Sequence, residues 1–416
     1  MKKLIVPQIS LKNGLCEGED PVRLAKYFSE AGADAILLYD LSSEDQEHER
    51  NLHVMKEIYR EVEIPLYGAG NIRRAEDVKK ILYTGCTRAI LNFSRDSGRE
   101  ILEEVSLRFG KEKIGVSVCS KEQLCSNETL LCQYASMVVA VKDLPEEAYY
   151  KYPLPILAWT EKENHGIFDV LEKNAVLGVT GPYVSRKTTD FMKIKNRGHQ
   201  MGIETNVLRS EISWEELKLN SDGMVPVIVQ DYRSDQVLML AYMTKDALEK
   251  TLETGLMTYY SRSRQCLWTK GLTSGHVQYV KSLTADCDYD TILARVSQVG
   301  AACHTGKPGC FFNTMLEKES GQSNPAKVFD TVYDTILERK AHPKEGSYTN
   351  YLFDKGLDKI LKKVGEEAAE LIIAAKNPEP EEIKYEMADL LYHAMVLMAE
   401  KGITWKDITE ELDNRH

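Results

Sequence analysis

The sequence predicts a multidomain protein with an N-terminal α/β domain of the (β/α)8-like barrel type, a small central β-rich α+β domain and a C-terminal all-α domain. Three observations predict this order. Short apolar runs alternate with amphipathic stretches over the first 200 residues, short β-rich runs follow from 225 to about 313, and apolar residues recur at helical spacing from 328 onward. The 416 residues exceed the usual size of one domain, and a 43% apolar content can give each domain a core.

Eight apolar runs in the first domain are strand candidates. They are LIVPQI (4–9), AILLYD (35–40), PLYGAG (65–70), AILNFS (89–94), GVSVCS (115–120), MVVAVK (137–142), LPILAW (154–159) and VLGVTG (176–181). Helical stretches such as DPVRLAKYFSEAG and RAEDVKKILYTG lie between them and end on glycine, as helix C-termini often do. Eight strand–helix alternations predict a parallel barrel, with short helices after the fifth strand because the spacing there is tight. A doubly wound sheet with fewer strands is the alternative.

The pattern changes after a polar connector at 207–223, so we place the barrel at 1–206 and the central domain at 220–316. The central domain has short β-rich runs, among them VPVIVQDY, QVLMLAYM, MTYYSRSR and VQYVKSL. One helix, TKDALEKTLETG, begins at a plausible cap, Thr244, and closes on Gly255.

The C-terminal domain is predicted to be helical and to span 328–416, after a linker with the sequence EKESGQSNPAK (317–327). Apolar residues have helical spacing in LDKILKKVGEEAAELIIAAK and in IKYEMADLLYHAMVLMAEKG. The motif NPEP (377–380) separates these two helices, because proline interrupts helical hydrogen bonding.

Charge and composition exclude several classes of protein. The chain has 53 basic and 64 acidic residues, and a net charge of −11 argues against a nucleic-acid or membrane-surface binder. No apolar run approaches the roughly 18 residues of a membrane-spanning helix. The start, MKKLIVPQIS, lacks the apolar stretch of a secretory signal. With nine cysteines and no export signal, we expect a cytoplasmic protein with reduced thiols, some of which are metal ligands.

The stretch DCDYDTILARVSQVGAACHTGKPGC (286–310) holds two kinds of metal-binding side chain. If DCDYD is extended, three carboxylates share one face and Cys287 points to the other. The carboxylates, suited to Mg²⁺, are those of Asp286, Asp288 and Asp290. The thiols, suited to Zn²⁺, are those of Cys287, Cys303 and Cys310, and three ligands leave a fourth position for water. The alternatives are a solvated acidic turn and buried core cysteines.

The central domain resembles phosphoribosyl-AMP cyclohydrolase of histidine biosynthesis. The resemblance lies in YYSRSRQCLWTKGLTSGHVQ, DCDYDT and GAACHTGKPGCFF, and it covers essentially all of 220–313. It implies that the adenine ring of phosphoribosyl-AMP is opened by hydrolysis between N1 and C6. A single Zn²⁺ in each site would lower the pKa of a bound water toward neutrality.

The same resemblance implies roles for individual residues. Cys287, Cys303 and Cys310 would bind zinc, and Asp286, Asp288 and Asp290 would bind Mg²⁺. His304 would move protons as general base and acid. Arg262, Arg264, Lys270, Thr273 and Ser274 would contact the phosphates and ribose, and Lys270 is also a catalytic candidate. Enzymes of this family are dimers that share zinc ligands between subunits, which implies a homodimer. Leu272 stands where the family has glutamate, so any role of that glutamate is in doubt.

The C-terminal domain carries carboxylates at helical spacing in GEEAAE and YEMADLL. Residues three apart share a helix face, which pairs Glu367 with Glu370 and Glu386 with Asp389. If the two helices run antiparallel, the pairs converge, and hard cations would offset their repulsion. The alternative is two solvated helix faces. Neighbouring apolar side chains favour buried carboxylates.

The stretch from GSYTNYLFDKGLDKILKKVGEEAAELIIAAKN to ADLLYH resembles phosphoribosyl-ATP pyrophosphohydrolase, an all-α family of the MazG-like group, over about 328–416. The resemblance implies that water cleaves phosphoribosyl-ATP to pyrophosphate and phosphoribosyl-AMP, with Mg²⁺ neutralising the phosphates. The implied Mg²⁺ ligands are Glu367, Glu370, Glu386 and Asp389. Glu366 would be a further ligand or the base that activates water, and Lys362 and Lys363 could contact phosphates.

The first domain resembles the histidine-pathway barrels, namely the cyclase subunit of imidazole glycerol phosphate synthase and ProFAR isomerase. The similar stretches are ISLKNG, PVRLAKYFSEAGAD, PLYGAGNIRRAEDVKKIL and VLGVTGPYVS. Those families place catalytic aspartates after strands 1 and 5, where this chain has Ser10 and Cys119. Neither replaces a carboxylate, so we expect a degenerate, non-catalytic barrel. Gly68 and Gly70 could retain a weak phosphate site.

Two functional hypotheses follow. The first is a bifunctional histidine-biosynthesis hydrolase that acts on phosphoribosyl-ATP and phosphoribosyl-AMP behind a non-catalytic barrel. The second is a regulatory or nucleotide-binding protein with structural metal sites, favoured only by Leu272. For the barrel itself, the alternative is an active isomerase with a relocated acid, for which Asp40 at the end of strand 2 is the candidate.

Overall fold

The computed structural model describes residues 2–16, 18–163, 165–316, 325–377 and 380–413. The chain divides into two compact units, 1–314 and 315–416. Most of the predicted linker, 317–324, lies outside the described residues, as do Pro378 and Glu379 of NPEP.

Nine strands of the first unit form one all-parallel sheet. They are β1 (Leu4–Ile5), β2 (Gln8–Leu11), β3 (Ile36–Asp40), β4 (Leu66–Ala69), β5 (Arg88–Asn92), β6 (Ile114–Val118), β7 (Met137–Ala140), β8 (Ile156–Trp159) and β9 (Val176–Thr180). Each of the eight predicted apolar runs contains a strand, and the first run contains two. Pro7 contributes to the separation of β1 from β2, because proline has no backbone N–H to donate to a neighbouring strand.

The divided first strand closes the sheet into a barrel. β1 pairs with β9 and β2 pairs with β3, both in parallel. Between them, the Val6 amide donates to the Val179 carbonyl at 2.9 Å, and the Leu37 amide donates to the Pro7 carbonyl at 3.0 Å. Hydrogen bonds therefore run around the whole sheet, as in a (β/α)8 barrel, and the prediction of this fold is confirmed.

Helices surround the barrel strands. They are α1 (Pro21–Glu30), α2 (Asp45–Glu61), α3 (Ala75–Tyr83), α4 (Asp96–Glu100), α5 (Leu102–Phe109), α6 (Lys121–Ser126), α7 (Glu128–Tyr134), α8 (His165–Leu171) and α9 (Phe191–Gln200). The prediction that the helices after the fifth barrel strand are short holds for α6, with 6 residues, and for α7 and α8, with 7 each. It is wrong for α9, which has 10 residues, as many as α1. Asp20 caps α1 by accepting hydrogen bonds from two amides of the first turn.

The central domain contains six strands and one helix. They are β10 (Val225–Asp231), β11 (Val237–Met243), α10 (Lys245–Thr254), β12 (Thr258–Ser261), β13 (Cys266–Thr269), β14 (Gln278–Ala285) and β15 (Ile292–Gln298). Four strands form a sheet in the order β11-β10-β15-β14, and β12 pairs with β13 as a hairpin. Thr244 caps α10, and Gly255 ends it with a left-handed φ of 72°, both as predicted.

The barrel packs against the central domain within the first unit. Lys281 Nζ, on β14, lies 3.2 Å from Glu30 Oε2 and 2.9 Å from Glu63 Oε2. The Glu30 side chain is only 8% exposed, so this ion pair is largely shielded from water. On α9, the Asn196 side chain donates to the Glu253 carbonyl of α10 at 2.8 Å.

The second unit is all-helical, as predicted. Its helices are α11 (Pro325–Ala341), α12 (Tyr348–Lys355), α13 (Leu357–Ala374), α14 (Pro380–Lys401) and α15 (Trp405–Asp413). Its core holds Ile336, Leu352, Ile360 and Val396 from four different helices. Among the described helices of the chain, none combines the length and apolarity needed to cross a membrane.

Candidate active sites

Two of the three predicted zinc ligands lie together in the central domain. Cys303 sits in a turn in which its amide donates to the Lys307 carbonyl at 3.2 Å, and the Cys310 amide donates to the Leu238 carbonyl of β11 at 2.7 Å. The Thr305 hydroxyl lies 3.1 Å from Cys303 Sγ. This hydroxyl, the Thr305 amide and the Cys310 thiol lower the pKa of Cys303. The turn therefore favours the thiolate of Cys303, which is the form of cysteine that binds metals.

Lys270 is the charged neighbour of this thiol pair. The lysine follows β13 and is 7% exposed. Burial lowers the pKa of Lys270, and the charges of Cys310 and Cys303 oppose that effect. Burial and contact with the Cys303 thiol raise the pKa of Cys310. A buried ammonium beside two sulfurs can stabilise a thiolate or donate a proton in this site. His304, the proton carrier implied by the resemblance, is exposed on the same turn.

Cys287 does not join the other two cysteines within one chain. It is exposed, and no group of three metal-binding side chains among the described residues includes a cysteine. One chain therefore supplies two soft ligands here, which is one fewer than an open catalytic zinc site uses.

The aspartates of DCDYD converge in an exposed turn, as in the alternative of a solvated acidic turn, and not in an extended segment. Residues 286–290 form a turn after β14, with Tyr289 at a φ of 65°. Asp286 Oδ1 accepts hydrogen bonds from the amides of Asp290 and Thr291 at 3.0 and 3.1 Å. These hydrogen bonds stabilise the turn. They also lower the pKa of Asp286, although desolvation of the carboxylate would raise it. Carboxylate oxygens of Asp286, Asp288 and Asp290 lie within 4.8 Å of one another.

The two predicted phosphate-binding arginines line one cavity of about 600 Å³ beside the β12–β13 hairpin. The Arg262 guanidinium lies 4.1 Å from the ring centroid of Tyr242, and that of Arg264 lies 5.8 Å from that of Trp268. Thr273 and Ser274 are exposed in the loop between β13 and β14. Leu272, in the same loop, is 69% exposed.

In the helical unit, the predicted carboxylates of α13 and α14 converge. Oxygens of Glu367, Glu370 and Glu386 lie within 4.8 Å of one another, whereas Asp389 is not part of this group. The expected burial holds for Glu367, which is 4% exposed, but Glu370 is exposed and Glu386 is half-buried. The expectation of buried carboxylates therefore holds for one of these three residues, because apolar neighbours such as Ile372 themselves face solvent.

Charges of both signs surround this cluster. Lys363 Nζ lies 3.0 Å from Glu367 Oε1 and 3.1 Å from Glu366 Oε2, and these two carboxylates raise the pKa of Lys363. Lys362 Nζ lies 3.4 Å from Glu366 Oε1, and hydrogen bonding to Lys363 contributes most to lowering the pKa of Glu366. Desolvation and the charges of Glu370, Glu367 and Asp389 raise the pKa of Glu386. A divalent cation would relieve that repulsion, so the residues fit Mg²⁺.

Two residues beside these sites were missed by sequence reasoning, namely Thr305, which contacts Cys303 Sγ, and His393, which lies near Glu367. Tyr348, which falls in a motif of the resembled family without a predicted role, bonds to His393. His393 carried a readable signal, because it follows Asp389 by four residues and Glu386 by seven and so shares their helix face.

At the rim of the barrel, Ser10 and Cys119 occupy the predicted positions. Ser10 lies on β2 and lines a cavity of about 480 Å³, and Cys119 directly follows β6. Asp40 ends β3 with both oxygens engaged, by His48 Nδ1 at 2.5 Å and by Asn51 Nδ2 at 2.5 Å. Burial alone would raise the pKa of Asp40, but hydrogen bonds from His48 and its neighbours lower it.

Packing alone explains the two glycines of GAGNIR. A Cβ on Gly70, which has a φ of 88°, would lie 2.0 Å from the Asp40 carbonyl oxygen. A Cβ on Gly68 would lie 2.4 Å from the Ile81 side chain. Both positions therefore require glycine without any phosphate ligand.

Three family models match separate parts of the chain. The model of phosphoribosyl-AMP cyclohydrolase matches residues 239–312, and that of phosphoribosyl-ATP pyrophosphohydrolase matches 329–416. A third, described as histidine biosynthesis protein, matches residues 10–152 in the barrel. The first of these matches includes the cysteines of the thiol site, and the second includes the glutamates of the carboxylate site.

Similar proteins carry the name histidine biosynthesis bifunctional protein HisIE. That of Thermoanaerobacter pseudethanolicus is 54% identical over 210 residues, which is 47% of this chain and 97% of the relative. That of Bacillus subtilis is 50% identical over 202 residues, 49% of this chain and 96% of the relative. That of Thermus thermophilus is 48% identical over 200 residues, 48% of this chain and 92% of the relative. The chain thus belongs to the family of bifunctional histidine biosynthesis hydrolases, with a cyclohydrolase and a pyrophosphohydrolase domain and, in this protein, a histidine-biosynthesis barrel as well.

Proposed function

We propose that the two hydrolase domains catalyse consecutive steps. The helical domain would cleave phosphoribosyl-ATP to phosphoribosyl-AMP and pyrophosphate, and the central domain would then open the adenine ring between N1 and C6 to give ProFAR. The observation that carries the proposal is a pair of ligand sets of opposite chemistry. Thiols lie beside Lys270 in one family domain, and clustered carboxylates lie beside Lys363 in the other.

In the helical domain, Glu367, Glu370 and Glu386 would hold Mg²⁺, with Asp389 completing the set. The bound ion would neutralise phosphate oxygens as the bond between the α- and β-phosphates breaks. Glu366 stays ionised beside Lys363 and would accept the proton of the attacking water. Lys362 and Lys363 would contact the phosphates.

In the central domain, Cys287, Cys303 and Cys310 would hold one Zn²⁺, which when bound would lower the pKa of a water toward neutrality. Asp286, Asp288 and Asp290 would bind Mg²⁺ with the phosphates of the nucleotide. His304 would take a proton from the water and return it to the opening ring, and Lys270 would stabilise charge at the thiols. Arg262, Arg264, Thr273 and Ser274 would bind the phosphates and ribose.

The zinc site would be completed by a second copy of the chain. In the part of the chain that the structure describes, no third metal-binding side chain joins Cys303 and Cys310, and Cys287 is exposed and accessible to a partner. Large apolar side chains are also exposed in this domain, including Leu240 at 48% and Phe311 at 67%. A homodimer that shares zinc ligands would cover such surface.

We further propose three domains, at 1–206, 220–316 and 328–416, and a cytoplasmic location. The barrel would be a non-catalytic scaffold for the cyclohydrolase domain. Two observations support this role. The rim has Ser10 and Cys119 where its related families have acids, and Lys281 of the cyclohydrolase domain is paired with Glu30 and Glu63 of the barrel.

The scaffold role predicts that Lys281→Met destabilises the first unit. The change leaves Glu30 shielded and without its cation, which we expect to cost about 1–2 kcal/mol of the free energy of unfolding, and several degrees of Tm. Differential scanning calorimetry measures the loss. The control is Lys79→Met, which removes an exposed pair with Glu76 within α3. Equal Tm values for the two variants would contradict the scaffold role.

The experiment that tests the proposed function is a product assay. The full chain is incubated with phosphoribosyl-ATP, Mg²⁺ and Zn²⁺, and products are separated over time. We expect pyrophosphate and transient phosphoribosyl-AMP, followed by ProFAR that accumulates without isomerisation. Release of neither pyrophosphate nor ring-opened product would refute the proposal and favour the regulatory nucleotide-binding hypothesis. Loss of ProFAR to its isomer would show that the barrel is active.

A further inference from the structure

A buried histidine and a tyrosine connect three helices next to the carboxylate cluster of the helical unit. Tyr348 Oη, on α12, lies 3.1 Å from His393 Nε2, on α14. His393 Nδ1 lies 2.8 Å from the Asp389 carbonyl oxygen and 3.7 Å from Glu367 Oε1, on α13. His393 and Glu367 are each only 4% exposed.

These contacts determine which ring nitrogen of His393 carries the proton. A backbone carbonyl only accepts, so Nδ1 must carry the hydrogen that bonds Asp389. The Asp389 carbonyl therefore fixes the proton on Nδ1, and the contact with the Tyr348 hydroxyl at Nε2 holds the ring in an orientation in which Nδ1 lies 3.7 Å from Glu367 Oε1.

Both close contacts of Glu367 are made by a single oxygen. Lys363 Nζ lies 3.0 Å from Oε1, and His393 Nδ1 lies 3.7 Å from it. The lysine thus holds Oε1 by an ion pair, and the His393 ring packs beside the same oxygen while its own N–H bonds the Asp389 carbonyl. Held from this side, the Glu367 carboxylate lies within 4.8 Å of those of Glu370 and Glu386.

We propose that Tyr348 and His393 are positioning residues that orient Glu367 for Mg²⁺ binding in the pyrophosphohydrolase site. This inference rests on the proposed function, because it takes Glu367 as a metal ligand. Groups that orient metal ligands contribute about 10–100-fold to metal affinity when they are removed singly.

The test measures Mn²⁺ affinity by electron paramagnetic resonance of the free ion. The background is the full chain with Asp286, Asp288 and Asp290 changed to Asn, so that the helical site dominates binding. We expect Tyr348→Phe and His393→Leu to weaken Mn²⁺ binding, with a dissociation constant that rises about 10-fold or more. His393→Asn, which retains an N–H near Nδ1, should recover part of that loss. In the parent chain, Tyr348→Phe should raise the Mg²⁺ concentration needed for half-maximal pyrophosphate release, with little change in kcat at saturating Mg²⁺.

Thr349→Val is the matched control. It removes a 2.7 Å bond between the hydroxyls of Thr349 and Tyr392, which joins the same two helices without contacting Glu367. Mn²⁺ affinity that is equal in Tyr348→Phe, Thr349→Val and the background chain would overturn the inference. Glu370→Gln in the same background separates the two levels of the argument. If it leaves Mn²⁺ affinity unchanged, the proposed ligand set is itself wrong, and the inference falls with it.

Discussion

Glu370→Gln should lower the rate of pyrophosphate release from phosphoribosyl-ATP about 100-fold or more. Glu370 lies within 4.8 Å of Glu367 and Glu386, and glutamine keeps the shape of the side chain while removing one anionic oxygen ligand. The substitution also removes a like charge that raises the pKa of Glu386, so the fold should not be weakened. Initial rates with phosphoribosyl-ATP measure the loss, and phosphoribosyl-AMP supplied directly should still be converted to ProFAR.

Glu381→Gln is the control for this prediction. Glu381 lies in the first turn of α14, and its exposed side chain pairs with Lys384 outside the cluster. This variant should release pyrophosphate at the parent rate. If Glu370→Gln retains the parent rate as well, the carboxylate cluster is not the catalytic site.

Cys303→Ala should make phosphoribosyl-AMP accumulate while pyrophosphate is still released. The change removes the Cys303 thiol, whose pKa Thr305 lowers. It thereby removes one of the two thiols that a single chain would supply to the proposed three-cysteine zinc site. We expect ring opening to fall about 100-fold or more and bound zinc to fall in parallel, because a two-cysteine remainder binds zinc weakly. Product analysis and metal analysis of the purified chain measure the two effects.

Cys266→Ala is the matched control, since Cys266 is an exposed cysteine of the same domain on β13 and has no predicted ligand role. It should leave zinc content and ring opening unchanged. Mixing Cys303→Ala chains with Cys287→Ala chains tests the shared site. Random subunit exchange should restore about a quarter of the parent activity, because half of the dimers are mixed and each mixed dimer has one intact site. If each variant is fully active alone, the zinc assignment is refuted.

The order of the domains and most of the barrel could be predicted from the amino-acid order, because apolar periodicity and glycine positions report local structure directly. The eight runs became strands, and helix α10 begins and ends at its predicted caps. Local pattern failed at DCDYD, where alternation predicted an extended segment. The amide bonds to Asp286 and the left-handed Tyr289 form a turn instead, and such hydrogen bonding does not show in side-chain alternation.

The spacing of carboxylates and thiols could identify ligand chemistry, because charge and softness belong to the side chains themselves. Whether these side chains come close enough to bind one metal ion depends on how segments distant in sequence pack together. Folding brings Glu386 of α14 to Glu370 of α13, excludes Asp389 from the tight group and leaves Cys287 apart from Cys303. The Tyr348–His393 contact and the ion pairs from Lys281 to the barrel likewise span 45 or more residues. Periodicity therefore predicted the fold class of each domain, and side-chain chemistry predicted which groups are candidate metal ligands. Only long-range packing decided which ligands share a site, since distance in space, not along the chain, sets electrostatic and metal-binding geometry.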